Sequence, residues 1–531
     1  MDKKIALAAM AFFLSIPFLI TGVTERGAPM VYHSAAVGSG NNYTSSIHIF
    51  NPNSEPTEYT LNAFTNSGLP NPMLTNGLTT LHTFTGILFP HQSVHYRTNG
   101  AGLGANAGNV QLSGTGPLAA WNQTSQASPG GDLAARETTP LVNVDAHAWV
   151  LPRVQTFATS AGPNPTVGYI GLRNTEGFSD NLQLDLLDAT TGALAATRTI
   201  VIQRRETIFS SVGDLMGVAD LNKEYLLRTR AFSSTRVLPY YMAIRDGQVL
   251  SQYLGTTAGF SPVVLRGGNT FSETLPFFHL GMNGVSADYA AVSNFPGAGF
   301  TGSVTLYEAS VPGSSTEVAL VAPSAFFDAS AALGDPSADE YGTVSYNETT
   351  LGLAATGHVK HADASTLFGP SQPLSGRGII SIDASSLDGL EQSRLILHNH
   401  QSVSIRLALG MLDEDGTYLQ VINQDLAPGL TAMPLFDLVH NLPDTRALLI
   451  ETSPSNAWIS ADLIIHGADT PTIEGVVLDR VPTIALGGNR TIGNYPEIIV
   501  GWANSGPASC LGANATVADI VNYLGNGYTC P

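Results

Sequence analysis

The sequence has few cysteines and few charged residues. Two of its 531 residues are cysteine, so a zinc site with four cysteine ligands is excluded, and 12% are charged, about half of the roughly 25% in an average globular protein. Long salt-bridged helices and coiled coils are therefore not expected. The 23 basic residues against 42 acidic ones give a net charge of −19, which argues against nucleic acid as a partner.

Long apolar runs are absent after the N-terminus, so no integral membrane segment is expected there once a signal is removed. At the N-terminus, Lys3 and Lys4 precede an apolar run from Ile5 to Ile20, which is the layout of a secretory signal and is short of the ~20 residues that span a bilayer. We expect residues 1–27 to be a signal peptide that directs the protein to the extracellular space or the cell envelope. An uncleaved anchor is the alternative.

One short segment of alternating apolar and polar residues recurs along the chain and ends each time in asparagine. The four asparagines are Asn51, Asn174, Asn294 and Asn399. Apolar residues stand at alternate positions shortly before each asparagine and again shortly after it, and a spacing of two is the period of a β-strand with one buried face. A glycine that suits a hairpin turn follows in each copy. These glycines are Gly68, Gly192, Gly313 and Gly416.

The recurring pattern predicts an all-β fold made of about four tandem antiparallel β-sandwich repeats. The predicted sandwiches cover residues 28–140, 145–260, 272–370 and 376–480. Glycine-rich and proline-rich linkers separate them. A small C-terminal tail over residues 481–531 does not repeat the pattern.

The tail contains both cysteines, Cys510 and Cys530, which an exported chain can oxidise to a disulfide. Between them, Thr516 and Asp519 have the spacing of a helix cap, and Gly525 is a suitable stop. We therefore expect a short helix pinned by the disulfide.

No catalytic residues, cofactor or metal site are predicted, and the chain is not expected to be an enzyme. It has no Gly-x-Ser-x-Gly nucleophile elbow. His398 and His400 flank the fourth repeated asparagine, but no third ligand follows at close spacing. The four asparagines stand where a strand gives way to a turn, and there the side chain can hydrogen-bond the backbone two residues on. Their predicted role is structural.

Four aromatic residues are candidates for a ligand surface. They are Trp121, Tyr240, Tyr241 and Trp458. Alternate residues of a strand face opposite sides, so one tyrosine of the adjacent pair must point away from the core. Such rings could stack on a carbohydrate. Packing between strands at a sheet edge is the alternative.

In general character the repeats and the signal resemble the tandem immunoglobulin-like or fibronectin-like β-sandwich arrays of bacterial surface and secreted proteins. The Cys-Trp-Cys core of true immunoglobulin domains is missing. The resemblance implies an extended, non-enzymatic protein of adhesion, envelope or matrix structure, which meets a surface, a matrix or another copy of itself through its strand edges. The alternatives are a secreted protein that binds carbohydrate or another ligand, and an accessory subunit of a secreted system.

Overall fold

The fold is seen in a computed structural model. It describes residues 30–40, 43–98, 106–127, 133–144, 148–158, 166–218, 223–233, 235–245, 248–257, 271–279, 285–293, 301–308, 315–321, 324–328, 340–348, 353–361, 364–368, 371, 373–382, 393–454, 457–466 and 478–486. Within these ranges the protein is almost entirely antiparallel β-structure, with two short helices. The strands fall into four consecutive groups, which we call units one to four.

Unit one contains eleven strands. They are β1 (Met30–His33), β2 (Val37–Gly40), β3 (Tyr43–Phe50), β4 (Thr57–Thr65), β5 (Leu74–Thr75), β6 (Thr80–Leu81), β7 (Thr83–Leu88), β8 (Ser93–Thr98), β9 (Asn106–Gly114), β10 (Ala119–Ala127) and β11 (Leu133–Pro140). Strands β7, β4, β9 and β1 are neighbours in that order, and so are β8, β3, β10 and β11. Strand β2 joins the two layers because it pairs with both β9 and β3.

Unit two has two separate sheets and one helix. Its elements are β12 (Ala148–Gln155), β13 (Phe157–Ala158), β14 (Thr166–Asn174), β15 (Asp180–Asp188), β16 (Leu194–Ile202), β17 (Thr207–Ser211), α1 (Val212–Met216), β18 (Glu224–Ala231), β19 (Val237–Arg245), β20 (Gln248–Leu254) and β21 (Thr256–Thr257). One sheet has the order β16-β15-β18-β12-β21, and the other has β17-β14-β19-β20, with β13 also paired to β14. The Ser211 hydroxyl accepts the backbone N–H of Asp214 and so caps the helix.

Unit three repeats this arrangement with two four-stranded sheets. Its strands are β22 (Phe271–His279), β23 (Val285–Ser293), β24 (Thr301–Glu308), β25 (Ser315–Val321), β26 (Ser324–Asp328), β27 (Glu340–Glu348), β28 (Leu353–His361) and β29 (Ala364–Phe368). The sheets have the orders β25-β24-β27-β22 and β26-β23-β28-β29.

Unit four again has two sheets and a helix in the same place as α1. Its elements are β30 (Pro373–Ser375), β31 (Arg377–Ser381), β32 (Arg394–Asn399), β33 (Ile405–Leu412), β34 (Tyr418–Leu426), β35 (Gly429–Pro434), α2 (Leu435–Val439), β36 (Ala447–Ser453), β37 (Trp458–His466), β38 (Leu478–Pro482) and β39 (Ile484–Ala485). The sheets have the orders β34-β33-β36-β31-β39 and β35-β32-β37-β38, with β30 also paired to β37.

The strand order is therefore the same in every unit. If the eight main strands of a unit are numbered along the chain, the first sheet has the order four, three, six, one, and the second sheet has the order five, two, seven, eight. In unit two, Leu151 and Leu184 of the first sheet share one apolar core with Ile170 and Tyr241 of the second. Two sheets around one core are a β-sandwich.

The alternating apolar residues face this core as the period of two requires. Leu182, Leu184 and Leu186 are all completely buried, while the residues between them are only partly covered. Full burial of a leucine side chain stabilises a fold by about 2 kcal/mol. Three such residues on one strand fix its register, because a slip by one position would turn all of them toward solvent.

Neighbouring units pack the first sheet of one against the second sheet of the next. Strand β12 of unit two contacts β23 and β28 of unit three, and β27 of unit three contacts β32 and β35 of unit four. Unit one meets unit two in the same way, since the Asn109 amide of β9 donates to the Thr207 hydroxyl of β17 at 2.9 Å.

The series closes, because the first sheet of unit four packs against the second sheet of unit one. Phe50, Ala119 and Trp121 of unit one lie in the same apolar cluster as Leu449 of unit four. The sequence resemblance implied an extended molecule, and the described residues show a closed ring instead. The eighth main strands lie side by side around the ring, with β11 and β29 each contacting both β20 and β38.

Several predicted features lie outside the described residues. They are the signal peptide, Asn294, Gly313, the C-terminal tail from residue 487 and both of its cysteines, Cys510 and Cys530. Among the residues that are described, no helix is both long enough and apolar enough to cross a membrane.

Candidate functional site

The repeated asparagines tie three backbone segments together. Asn174 ends β14, and its side-chain amide donates to the carbonyls of Phe178 at 2.8 Å and Gln203 at 2.9 Å, while its oxygen accepts the N–H of Glu176 at 2.8 Å. The bond two residues on is the one expected from the sequence. The bond to Gln203 reaches across to the end of β16, and this second task could not be seen in the sequence.

Asn399 and Asn51 repeat this pattern. Asn399 donates to Val403 and Leu426 and accepts from Gln401, at 2.9 to 3.0 Å. Asn51 donates to the carbonyls of Glu55 and Leu88 at 2.9 Å and accepts the N–H of Asn53 at 3.0 Å. All three side chains are buried, so they serve the turn and present nothing to a ligand.

The adjacent tyrosines point to opposite sides, as the strand period requires, but neither is exposed. Tyr241 lies in the core of unit two. Tyr240 points away from that core and packs against Ala35, Ala36 and Tyr43 of unit one. Burial raises the pKa of both phenols. The expectation of a carbohydrate platform is wrong for this pair, because the outward face of β19 is covered by the neighbouring unit.

Trp121 is used in the same way at the interface that closes the ring. Its side chain is 1% exposed, and its indole N–H donates to the carbonyl of Pro482 in unit four at 2.9 Å. Trp458 is partly buried on β37, next to Ser375 of β30 in the strand pairing. The four predicted aromatics therefore do not converge on one exposed surface, and two of them hold neighbouring units together.

Glycines of the hairpin turns form a recurring contact between units. Gly68 of unit one has a φ of +79°, and a Cβ there would meet the backbone of Arg205 in unit two at 3.0 Å. Asn66 lies two residues before Gly68, and Thr207 lies two residues after Arg205. The N–H of Thr207 donates to the carbonyl of Asn66 at 2.7 Å. The glycine predicted as a turn residue is thus also required by the close approach of the next unit.

The closing interface contains the same contact at equivalent residues. Gly416 of unit four has a φ of +83° and abuts the backbone of His91 in unit one, where a Cβ would lie 2.7 Å away. The N–H of Ser93 donates to the carbonyl of Glu414 at 2.9 Å. His91 and Arg205 are the two described non-glycine residues with positive φ. The same pair of turns therefore joins unit one to unit two and unit four to unit one.

Buried ion pairs reinforce the ring. Arg136 of β11 lies 2.9 Å from Asp479 of β38, and the Thr138 hydroxyl donates to the same carboxylate oxygen at 2.6 Å. Within unit four, Arg480 lies 2.6 Å from Asp462. Burial raises the pKa of Asp462, against the opposing effect of the Arg480 charge. Charges this deeply buried need their partners, because an unpaired one is strongly destabilising.

Burial favours the neutral form of two histidines at the interface between units three and four. His398 and His400 stack with their ring centroids 4.2 Å apart, and His398 Nδ1 is 2.7 Å from the Thr343 hydroxyl of unit three. Burial lowers the pKa of His400 to about 4 and that of His398 well below its usual range. Face-to-face rings do not direct two nitrogens at one metal ion. Among the residues the structure describes, no three histidine, cysteine or carboxylate side chains come together as metal ligands.

The comparisons with known proteins show little similarity. No family model matches the chain, and no curated protein does. One solved structure with some likeness is the full-length RrgB pilus protein from Streptococcus pneumoniae, at 9% sequence identity and a TM-score of 0.13. The likeness covers 62% of this chain and 62% of that protein's length, and it is too weak to bear on fold or function.

Proposed function

We propose that this protein is an exported, non-enzymatic structural or adhesion protein of the cell surface or extracellular matrix. In this proposal four tandem sandwich repeats, at residues 28–140, 145–260, 272–370 and 376–480, form one ring, and copies of the protein associate through strand edges at its periphery. Residues 1–27 serve for export. The observation that carries the proposal is the free edge of the first sheet in unit two.

That edge is strand β16. Within the described residues it pairs with β15 alone, so its other side presents backbone N–H and C=O groups to solvent. The strand is nine residues long and mostly exposed, with Leu194 59% and Val201 56% accessible. Natural sheets commonly protect such edges with lysine, proline or short strands, and an unprotected edge is a template for strand addition.

The charge on β16 does not protect it. Its one charged residue is Arg198, whose guanidinium donates to the carbonyls of Asp214 and Leu215 at the end of α1 and is thereby held at the helix. The half of the strand that follows Arg198 is uncharged. The equivalent strands β7, β25 and β34 also stand at the end of their sheets, so several edges are available for association.

The use of other side chains also supports a structural role. Three of the four candidate aromatic residues, Trp121, Tyr240 and Tyr241, are buried at interfaces or in a core, and Trp458 is partly buried, which removes the main support for the carbohydrate-binding alternative. Two pairs of charged side chains also meet within the protein, Arg153 with Glu224 at 2.7 Å and Arg377 with Glu451 at 2.6 Å.

The test is the association state of purified full-length protein over a range of concentrations, measured by light scattering. Wild type is expected to form larger species as concentration rises. Val201→Lys places a charge on the free edge and is expected to raise the concentration needed for association at least tenfold. Val403→Lys is the matched control, because Val403 is 61% exposed but lies in a turn after β32.

Two results would contradict the proposal. A protein that stays monomeric at every concentration, or equal association of the two lysine variants, would rule out the β16 edge as the means of association. Fractionation of the native host tests the export step separately, since recovery from the cytoplasm would contradict it.

A further inference from the structure

Strands β10 and β11 of unit one carry three buried oxygen atoms that have no hydrogen-bond partner among the described residues. They are Oδ1 of Asn122, Oε1 of Glu137 and Oγ1 of Thr139. The three side chains are between 1% and 6% exposed. Buried polar atoms nearly always have a partner, so such a group indicates an ordered water or ion.

The pairing of the two strands places the three side chains on one face. Asn122 is directly opposite Thr139, and Thr124 is directly opposite Glu137. Glu137 and Thr139 are two positions apart on the same strand, so they share a side, and diagonal neighbours in a sheet are within reach of a long side chain. The Asn122 amide donates to the carbonyl of Ala36 at 2.8 Å, which fixes the direction of its oxygen.

This face lies where unit one meets unit two. Tyr43 belongs to the apolar cluster at that interface together with Met242 of unit two. Gln252 is opposite Met242 in the pairing of β19 with β20, so it is on the same side of that sheet, and β20 contacts β11. Both polar atoms of the Gln252 amide are buried without a hydrogen-bond partner among the described residues.

The charges around the face favour a cation. Burial and, to a smaller extent, the nearby Asp479 carboxylate raise the pKa of Glu137 well above its usual range, and Arg136 lies 2.9 Å from Asp479. A bound cation would stabilise the ionised form of Glu137, which this site otherwise disfavours. Carboxylate, amide and hydroxyl oxygens are hard ligands, and hard cations such as Ca²⁺ prefer them.

We propose that Glu137, Asn122 and Thr139 form an oxygen site for a hard cation, an alkali or alkaline-earth ion, at the interface between units one and two. Glu137 supplies the negative charge, and the side-chain carbonyl oxygen of Gln252 is the ligand available from unit two. The ion then links two units of the ring. This proposed site is independent of the edge strand β16 and of association between copies of the protein.

Purified full-length protein, stripped of ions by chelation and dialysis, is titrated in turn with Na⁺, K⁺, Mg²⁺ and Ca²⁺ and followed by calorimetry and by the midpoint of thermal unfolding. One of these ions is expected to bind and to raise the midpoint by several degrees. Glu137→Gln keeps the shape of the side chain and removes its charge, so it is expected to weaken binding at least tenfold. Glu55→Gln is the matched control, because Glu55 is exposed on a turn of unit one.

Thr139→Val is the second variant, in case the first does not fold, and it too is expected to weaken binding at least tenfold. Elemental analysis of untreated protein after gel filtration gives a readout that does not depend on either variant. The site is overturned if none of the four ions binds or shifts the midpoint, in which case ordered water satisfies these atoms. It is also overturned if a variant that folds binds the ion as tightly as wild type does.

Discussion

His91 is expected to make the closing interface of the ring sensitive to acid. Its side chain is 3% exposed, and it stacks on Phe50 and meets the ring of Tyr418 in unit four edge-on. Burial and, to a smaller extent, the nearby Arg377 charge together lower the pKa of His91 to about 4. Protonation therefore places a second positive charge in a buried interface.

The sign and size of the effect follow from the difference between the folded and unfolded pKa. The folded pKa lies below the unfolded value of 6.5, so the contribution to stability is fully present above pH 6.5 and is lost as the pH falls to about 4. The difference between the unfolded pKa of 6.5 and the folded pKa of about 4 corresponds to roughly 3 kcal/mol, since one pKa unit is worth about 1.36 kcal/mol. That is a large share of the stability of a typical domain.

The perturbation is His91→Asn, because asparagine tolerates the positive φ of 62° at this position and does not titrate. Wild type and variant are unfolded in urea at about pH 7 and at about pH 4, with tryptophan fluorescence as the signal, since Trp121 lies in the same interface. The loss of the stacking contacts is the same at both pH values. The wild type is expected to lose about 3 kcal/mol more than the variant between them.

The comparison between the two proteins cancels the contributions of the other buried histidines, His33, His398 and His400. His82→Asn is the control, because His82 is exposed, and its pH profile is expected to follow that of wild type. Parallel pH profiles of the wild type and His91→Asn would refute the reasoning, because they would show that His91 takes up no proton on unfolding.

The other predictions concern side chains whose partners are given by the structure. Arg136→Met leaves the buried carboxylate of Asp479 without its ion pair and is expected to cost about 3 to 5 kcal/mol in urea unfolding; a loss below 1 kcal/mol would contradict the role of this pair in closing the ring. Asn174→Ala leaves two carbonyls and one N–H without their hydrogen-bond partner and is expected to cost about 2 to 4 kcal/mol of stability. Asn181→Ala is its control, because the Asn181 side chain is exposed, and it is expected to change stability by less than about 0.5 kcal/mol.

The β-structure could be predicted from the sequence because its signal is local. A strand with a buried face needs apolar residues at alternate positions, and Leu182, Leu184 and Leu186 satisfy this within five residues of chain. The asparagine at the end of the strand is likewise explained by atoms two residues away. The bond from Asn174 to Gln203, in contrast, depends on where strand β16 ends, and no pattern around the asparagine contains that information.

The ring could not be predicted, because its interfaces join residues far apart in the chain. Tyr240 and Trp121 look alike in sequence whether they face solvent or a neighbouring unit, and what covers them decides the outcome. One signal in the sequence could have indicated the ring. Strand β19 has large apolar residues on both of its sides, and together with the glycine turns this indicates that both sides are covered. The oxygen atoms at Glu137 were missed for a similar reason, since one acid among threonines is an ordinary composition for a strand.

The equivalence of the turn contacts at Gly68 and Gly416 has a consequence for how the chain can change in length. A contact between unlike patches, repeated head to tail, either closes after a fixed number of copies or continues indefinitely. Here four copies close into a ring. Gain or loss of one unit by duplication or deletion would leave an unsatisfied patch at each end, which would convert a self-contained molecule into the building block of a filament.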